Sequence, residues 1–400
     1  MKTNGNNYPV VLVHGYLGWG EDDKREERLH YWGAKKDCNL IEHLRDEDYT
    51  VFAPSLGPMS SAWDRSCELW AYLVGGRVDY GKVHSKKYGH ARFGRTYPGV
   101  LKDWGRGENK KINIFGHSFG GPTVITFCNI LSEGSKEEQE GTKESDLSDF
   151  FKGNKGDWIH TCTTLSGVNN GTILASIFGR PLLKLSSLGL FMGFGAKAEE
   201  STLKDQDPHL DRYGLQREPK DIDTPIENNM MSFKNILNAL KFTRNDLDNI
   251  IFEMGIETAS KAMPKYVKAN PHVYYFARIA DCSKKNILGM YHVGEPFSKI
   301  SIGASYISGS FISRRLKKMG ITKEWLKNDG LVSVPGQKAP FHLESIEWDE
   351  NPDTAKPGIW HNCPSMFWSH LSWDGFDIPI DDFYKFYDKS LELYRSLPDG

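Results

Sequence analysis

Short runs of aliphatic and β-branched residues recur along the chain and alternate with longer segments whose apolar residues follow a helical spacing. Such runs predict buried strands of a parallel sheet, because helices cover both faces of a sheet of this kind. The runs are VVLV (10–13), YTVFAP (49–54), INIF (112–115), HTCTTLS (160–166) and HVYYFA (272–277), and the helical segments include 62–74, 119–133 and 380–397. The alternation predicts one α/β domain over residues 1–400, with a mostly parallel central sheet flanked by helices.

Between about residues 175 and 260 the strand rhythm stops and helical patterns replace it, which predicts an inserted helical region. Within it, PLLKLSSLGLFMGF (181–194) is unusually apolar for a segment that contains glycines. We interpret it as a lid helix inside a lid region of about 175–240, and an ordinary buried helix is the alternative. The charged stretch 132–149 is poor in large apolar residues and is interpreted as a solvated loop or helix end.

Composition and charge narrow the class of protein. The 400 residues carry a formal net charge of −2 with both signs mixed, which argues against a nucleic-acid partner. The apolar stretch 188–196 is too short to cross a bilayer, so no transmembrane segment is expected. MKTNGNNYPV, at the N-terminus, has no apolar signal-peptide core, so either no signal peptide exists or the sequence begins after one. The six scattered cysteines predict mostly buried thiols and leave one disulfide open.

One motif suggests nucleophilic chemistry. In INIFGHSFGG (112–121), Ser118 lies between Gly116 and Gly120, after a predicted strand and before a predicted helix. A sharp strand-to-helix turn needs glycines at these two positions, and it exposes the serine hydroxyl. Ser118 is therefore predicted to be a nucleophile, with a serine in an ordinary turn as the alternative.

A serine nucleophile needs a histidine base and a carboxylate that orients this base. Among the histidines after Ser118, His370 is favoured because it follows the last predicted strand and precedes the closing helix, whereas His361 and His342 remain alternatives. Asp329, in WLKNDGLVSV, is favoured as the acid because an Asn-Asp-Gly turn before a predicted apolar strand presents a carboxylate on a loop. The alternative is that Asp329 only forms that turn.

Acyl transfer also needs two backbone N–H groups directed at the charge that develops on the carbonyl oxygen. The tripeptide His14-Gly15-Tyr16 directly follows VVLV and fits the loop that provides one donor, the amide of Tyr16. Phe119, the residue after Ser118, is predicted to provide the second donor.

Longer motifs over nearly the whole chain are similar to those of one bacterial enzyme family. They include PVVLVHGYLGWG, GGRVDYGKVHSKKYGHARFGRTYPG, GHSFGG, YGLQREP and WLKNDGLV. The chain resembles the lipases of the staphylococcal and thermophilic-bacillus type. The resemblance implies a secreted, monomeric α/β-hydrolase with a triad of Ser118, Asp329 and His370. It implies a triacylglycerol lipase, a carboxylester hydrolase that meets lipid or another water-insoluble ester at an interface.

The same resemblance implies a structural zinc ion in a small extra subdomain, built from about residues 55–100 and 210–260. The positions that match the first three zinc ligands are Asp64, His84 and His90. The fourth ligand of the family is a later aspartate, and its position falls in FEMGIETA, where this chain has Glu253. Asp246 and Asp248 remain alternatives for this fourth ligand. Carboxylate and imidazole ligands suit zinc, and four protein ligands are typical of a structural site.

A calcium site of the family is expected to be weak or absent here. Family members take one carboxylate two residues after the catalytic histidine and another seven residues after it. This chain has Ser372 and Asp377 at those positions. Because Ca²⁺ prefers anionic oxygen ligands, the loss of one carboxylate weakens the site.

Three other functions stay open at this point. An esterase or polyesterase with a shallow, open site would carry the same serine motif and act on short-chain or polymeric esters. A hydrolase-like binding protein would keep the fold without turnover. A zinc hydrolase would use Asp64, His84 and His90 to activate a water molecule.

Overall fold

The computed structural model describes residues 6–35, 37–106, 111–179, 209, 248–261, 268–310 and 312–399. The strands of this part are β1 Val10–Val13, β2 Val51–Phe52, β3 Gly76–Asp79, β4 Phe93–Tyr97, β5 Ile112–His117, β6 Ile159–Leu165, β7 Tyr274–Arg278, β8 Lys284–Lys285, β9 Tyr291–His292, β10 Ser345–Glu347 and β11 Trp360–Asn362. The α-helices are α1 Leu40–Asp46, α2 Ala62–Val74, α3 Lys82–Tyr88, α4 Gly120–Glu133, α5 Lys136–Gly141, α6 Ile250–Glu253, α7 Ile256–Lys261, α8 Lys299–Ser308, α9 Arg314–Lys318, α10 Val334–Gln337 and α11 Ile380–Ser396.

Seven strands form one sheet in the order β10-β11-β7-β6-β5-β1-β2, and each neighbouring pair is parallel. This confirms the predicted α/β class and the mostly parallel sheet. From β1 the chain continues to β2, which lies at one edge of the sheet. Strands β5, β6 and β7 are added later, on the other side of β1. Strands β1 and β5 are therefore neighbours at a topological switch point, where ligand sites of parallel sheets are found. Val13 is in register with Gly116, so both strands end at the same edge.

The side chains of each central strand alternate between two apolar layers. On one face, Val11 and Val13 pack in a cluster with residues of α2 and α4. On the other face, Val10 and Leu12 pack in a second cluster with residues of α1 and α11. Because helices cover both faces, neither side of β1 faces water, which explains why its sequence is continuously apolar.

The predicted strands and helices correspond closely to β1, β2, β5, β6, β7, α2, α4 and α11. The edge strand β10 and its neighbour β11 were missed, since SIE and WHN are only three residues long and are not runs of aliphatic residues. The residues after Asp329 differ from prediction, because the apolar run leads into α10 and not into a strand. The stretch 132–149 is largely exposed as predicted, but the Glu138 side chain is buried.

Two further expectations concern the cysteines and the membrane. All six cysteines are buried free thiols, so the disulfide left open in the sequence does not form. No helix within the described ranges is long and apolar enough to cross a membrane. The predicted lid helix 181–194 lies outside the described residues.

The turn around Ser118 is packed so closely that its flanking glycines have no room for a side chain. A Cβ on Gly116 would lie 2.2 Å from the carbonyl oxygen of Gly120, and a Cβ on Gly120 would lie 2.3 Å from that of Val13. Real Cβ atoms do not approach backbone oxygens this closely. The helix α4 can therefore start directly against β1 only because both residues are glycine.

We expect the Gly120→Ala variant to be less stable than the parent by about 1–3 kcal/mol, because a backbone segment must move to admit the methyl group. Denaturant unfolding followed by circular dichroism measures this change. The matched control is Gly303→Ala in α8, where an added Cβ meets nothing within 4 Å and alanine favours the helix. Equal stability of the Gly120→Ala variant and the parent would contradict the packing argument.

Candidate active site and metal-binding group

Ser118 directly follows β5 and has a left-handed backbone conformation, with φ of 56°. Residues other than glycine rarely adopt this conformation unless their surroundings impose it. Here the N–H of Ser118 donates to the carbonyl of Leu165 at 3.0 Å, and the N–H of Val168 donates to the carbonyl of Ser118 at 3.1 Å. The end of β6 and the loop after it therefore hold the strained residue in place.

Asp329 and His370 are joined by both side chain and backbone. Nδ1 of His370 lies 2.8 Å from Oδ2 of Asp329, and the N–H of His370 donates to the carbonyl of Asp329 at 2.8 Å. Oδ1 of Asp329 accepts from the N–H groups of Leu331 and Val332. Asp329 is fully buried, so these contacts satisfy its carboxylate away from water. A carboxylate at Nδ1 fixes the neutral ring with its acceptor at Nε2, the tautomer that a general base needs.

A buried hydrogen-bond chain connects His370 to the loop after β1. Nε2 of His117 lies 2.9 Å from the carbonyl oxygen of His370, and the hydroxyl of Tyr31 lies 2.7 Å from Nδ1 of His117. The N–H of Gly15 donates to the Tyr31 oxygen at 2.9 Å. Burial, and secondarily the charge of His370, lowers the pKa of His117 well below its ordinary value, so its ring is neutral.

The directions of these hydrogen bonds follow from the acceptors. A carbonyl only accepts, so Nε2 of His117 must carry the proton and donate to His370. Nδ1 of the neutral ring is then the acceptor, and the hydroxyl of Tyr31 donates to it. The Tyr31 oxygen remains available to accept from Gly15. Donors and acceptors are therefore matched along this series of hydrogen bonds. His117, the residue before Ser118, holds the backbone of His370.

The loop after β1 lies beside Ser118, as predicted. A Cβ on Gly15 would be 2.7 Å from Cβ of Ser118 and 3.2 Å from its Oγ, so only glycine allows this approach. Phe119 is fully buried in an apolar cluster that Tyr16 packs against. The structure thus brings both predicted oxyanion residues to the edge of the sheet that carries Ser118.

Helix α2 supports this loop through Arg65, a fully buried cation that sequence reasoning missed. Its guanidinium donates to the carbonyls of His14 and Gly57, and its Nε donates to Oγ1 of Thr123 on α4 at 3.0 Å. Burial lowers the pKa of Arg65 to about 10, although Glu68 and other groups oppose the shift. No simple sequence signal identified Arg65, because its partners, two backbone carbonyls and one hydroxyl, come from three separate segments.

Four side chains converge in a group that could hold a metal ion. Its members are Asp64, His84, His90 and Asp248, with ligand atoms that all lie within 4.8 Å of one another. Nε2 of His84 lies 3.3 Å from Oδ1 of Asp64 and 3.2 Å from Oδ1 of Asp248, and Nε2 of His90 lies 3.3 Å from Oδ2 of Asp248. Ligands about 2.0–2.1 Å from a tetrahedral zinc ion are separated by about 3.3–3.4 Å. The spacing therefore fits a zinc-sized tetrahedral site.

The charge of this group also favours a cation. Burial lowers the pKa of His84, but the carboxylates of Asp248 and Asp64 more than reverse this and raise it to about 9. The upward shift of the His84 pKa indicates that the two carboxylates create a strongly negative local field. A divalent cation would neutralise this field. The donor set, two imidazoles and two carboxylates, is one that zinc accepts.

Asp248, and not Glu253, completes the group, so the sequence prediction of the fourth ligand differs from the structure. Oε2 of Glu253 accepts from the N–H of Ala62 at 2.7 Å and thereby caps the start of α2. Burial raises the pKa of Glu253 to about 8. Asp248 was one of the alternatives, and the other, Asp246, lies outside the described residues. Asp248 precedes α6, and its side chain is shorter than that of Glu253.

Glu138, from the stretch predicted to be solvated, supports the metal-binding group. Its carboxylate accepts from the N–H groups of Val83 and His84, at 3.1 and 2.7 Å. These are unsatisfied donors of the first turn of α3, which a carboxylate stabilises. Glu138 therefore fixes the helix that presents His84.

The two positions weighed for calcium have other contacts. The hydroxyl of Ser372 accepts from the N–H of Ser369 in a capping box, and Oδ2 of Asp377 accepts from the Ser369 hydroxyl at 2.6 Å and from the N–H of Ser298 at 3.2 Å. Within the described ranges, these residues do not belong to a cluster of potential metal ligands. Weak or absent calcium binding stays a prediction.

A protein-family model described as "Lipase-like, C-terminal domain" matches residues 6–399. Among curated relatives, a Staphylococcus epidermidis protein named "Lipase" is 30% identical over 383 residues, which are 94% of this chain and 51% of the relative. The chain thus spans about half the length of the curated relatives it matches.

Solved structures give a similar result over nearly the full chain. EstA from Clostridium botulinum is 33% identical, with a TM-score of 0.82 over 97% of this chain and 88% of EstA. The lipase of Staphylococcus hyicus is 28% identical, with a TM-score of 0.80 over 99% of this chain and 97% of that lipase.

We expect the Asp248→Asn variant to bind zinc about 10- to 100-fold more weakly than the parent, because one anionic ligand is lost. Competition with a chromophoric chelator measures the affinity. Glu253→Gln is the matched control, since it removes a carboxylate that caps α2 and lies outside the group. Loss of zinc in the Glu253→Gln variant, with retention in Asp248→Asn, would assign the fourth ligand to Glu253.

Proposed function

The chain belongs to the lipase-like family that its sequence resembles, and on this basis we propose that it is a carboxylester hydrolase that acts as a triacylglycerol lipase. The observation that carries the proposal is the 2.8 Å contact between Asp329 and His370, whose carbonyl accepts from His117, the residue directly before a serine at positive φ. A strained serine, an oriented histidine and a buried carboxylate, in this chain order, are the parts of an α/β-hydrolase triad.

In the proposed reaction, Nε2 of His370 takes the proton from the Ser118 hydroxyl while Oγ attacks the ester carbonyl carbon. Asp329 stabilises the imidazolium that forms. The tetrahedral intermediate collapses when the bond to the alcohol oxygen breaks, and His370 returns the proton to this leaving alcohol. Water, deprotonated by His370, then attacks the acyl-enzyme and releases the carboxylic acid and free Ser118.

The oxyanion of each tetrahedral intermediate is proposed to be held by the backbone amides of Tyr16 and Phe119. Two contacts support this assignment. Gly15 packs against Ser118, and the N–H of Gly15 is held by Tyr31. This places the loop after β1 at the nucleophile before substrate binds, so little reorganisation is needed during the reaction.

Zinc is proposed to be structural and to be held by Asp64, His84, His90 and Asp248. When bound, it would supply a cross-link between α2, α3 and the segment before α6. All four donors come from the protein, which is typical of a structural ion, whereas a water-activating site keeps one position open. The extra subdomain of about 55–100 and 210–260, the lid region 175–240, a monomeric state and secretion remain part of this proposal.

An esterase or polyesterase with a shallow site is the second candidate, favoured by the similarity to EstA. A series of p-nitrophenyl esters of increasing acyl length distinguishes the two. A lipase retains or gains kcat/KM on long chains, and a short-chain esterase loses it.

For the parent, we expect stoichiometric labelling of Ser118 by a fluorophosphonate, because the oriented base makes its hydroxyl nucleophilic. The Ser118→Ala variant should lose label and at least about 10⁴-fold in kcat. Mass spectrometry of the labelled peptide and hydrolysis of p-nitrophenyl butyrate measure both. Ser396→Ala, at a surface serine of α11, is the matched control and should behave as the parent. Unlabelled Ser118 in folded parent protein would exclude the enzyme and leave a hydrolase-like binding protein.

Chelation separates a structural zinc from a catalytic one. We expect a chelator to lower the thermal unfolding midpoint, because an ion at 100 times its Kd contributes about 2.7 kcal/mol. Ester turnover well below this midpoint should persist. Differential scanning calorimetry and initial rates, measured on the same sample, make the comparison. Immediate loss of turnover at unchanged fold would favour the zinc hydrolase instead.

A further inference from the structure

Helix α8 has an unusual distribution of side chains for a surface helix. Its buried positions are Ser301, Ser305 and Ser308, each with no exposed area, whereas Ile300 and Tyr306 are 64% and 58% exposed. Surface helices normally turn their apolar residues inward. The helix is therefore inverted, with small hydroxyl residues inside and large apolar residues outside.

The inner serines are explained by close packing near Asp329. A Cβ on Gly330 would lie 2.7 Å from Cβ of Ser301, so the helix lies directly against the loop that carries Asp329. The hydroxyl of Ser305 donates to the carbonyl of Ile302 at 2.7 Å and accepts from the N–H of Val293 at 2.9 Å. This packing does not explain the outward Ile300, and Tyr306 keeps most of its side chain exposed although its ring stacks on His292.

The β8–β9 hairpin next to α8 repeats this feature. Ile287 and Leu288 occupy its tip and are 102% and 75% exposed. One residue, Asn286, separates them from Lys284 and Lys285, which are also exposed. Two bulky aliphatic side chains at the tip of a short hairpin gain no burial in the protein alone, and contiguous exposed apolar residues are typical of interaction surfaces.

The hairpin and the helix form one surface. The N–H of Tyr291 in β9 donates to the carbonyl of Gly309 at the end of α8 at 2.8 Å, and the rings of His292 and Tyr306 stack with centroids 4.3 Å apart. Phe367, which is 57% exposed and lies three residues before His370, extends this surface, because Nζ of Lys284 lies 5.7 Å from its ring centroid. The surface therefore borders the segments of both Asp329 and His370.

The hairpin and α8 carry a net positive charge. Three lysines and one glutamate lie between Lys284 and Ser308, in a chain whose formal net charge is −2. The exposed residues include Lys284, Lys285 and Lys299. Cationic side chains around exposed apolar ones are typical of surfaces that insert shallowly into anionic membranes.

We propose that the hairpin tip, the outer face of α8 and Phe367 form a docking surface for an anionic lipid surface. This deepens the proposed function, since it names the face by which the enzyme would reach its insoluble substrate. Apolar side chains enter the acyl boundary, and the lysines contact the headgroup phosphates. A second copy of the chain is a poorer occupant, because two cationic surfaces repel each other.

The test is flotation of the protein with large unilamellar vesicles, in the Ser118→Ala background so that no lipid is hydrolysed. We expect binding to vesicles of phosphatidylcholine and phosphatidylglycerol and much weaker binding to phosphatidylcholine alone. Binding should fall as salt is added, because salt screens the lysine–phosphate attraction. Equal binding to both compositions, or no binding to either, overturns the proposal.

Variants at the tip test which residues carry the binding. We expect the pair Lys284→Gln and Lys285→Gln to weaken vesicle binding about tenfold or more, and Ile287→Ser with Leu288→Ser to weaken it by a similar factor. The charge control is the pair Lys102→Gln and Lys136→Gln, and it should bind as the background protein does. Ile346→Ser, on the exposed edge strand β10, is the apolar control.

Two further measurements separate the competing outcomes. The tip variants in the active enzyme should keep kcat/KM on a soluble short ester, because no residue of the triad is changed. Sedimentation velocity shows whether they alter self-association instead, and loss of a dimer with unchanged vesicle binding would assign the surface to a second copy. If Ser118 is not labelled but vesicle binding follows the expected pattern, the docking surface stands and the proposed function fails.

Discussion

The hydrogen bonds of neutral His117 are the interaction on which the geometry of the site depends. This buried ring lies between the carbonyl of His370 and the hydroxyl of Tyr31, which in turn holds the N–H of Gly15. Three loops that are far apart in the chain are thereby joined behind Ser118. Protonation of His117 would turn Nδ1 into a donor, so the hydroxyl of Tyr31 could no longer donate to it. The low pKa that burial imposes on His117 is therefore a requirement of the arrangement, and not only a result of it.

Helix α2 connects this site with the metal-binding group. Asp64 belongs to the group, the adjacent Arg65 holds the carbonyl of His14, and Glu253 caps the first turn of the same helix. Two buried ionic systems thus share one helix of thirteen residues. Because buried charges are costly unless their partners stay in place, both systems restrict the position of α2. The loop after β1 is consequently positioned from two sides, by Tyr31 and by Arg65.

Much of the fold was predictable from the sequence, because strands buried on both faces leave continuous apolar runs. Ser118 was selected from its turn glycines, and Asp329 and His370 from chain order together with the family resemblance. The contact between Asp329 and His370 agrees with this selection, and the catalytic roles of the three residues are proposed. Tyr31, His117 and Arg65 were not recognised as parts of the site. Their roles depend on contacts with backbone atoms of distant segments, and a sequence pattern does not record such contacts. The fourth member of the metal-binding group, Asp248, was misassigned to Glu253 for the same reason, because both acids precede or lie in α6 and only packing decides between them.

The metal-binding group and the pair Asp329 and His370 are completed at different times during synthesis on the ribosome. Asp64, His84, His90 and Asp248 all emerge before Asp329 and His370. Strands β1, β2, β5 and β6 also precede Asp248, whereas β7, β10 and β11 follow it. The nascent polypeptide consequently contains all four residues of the metal-binding group while three strands of the sheet are still untranslated. This group can therefore assemble, and anchor α2 and α3, before the segments that carry Asp329 and His370 have been synthesised.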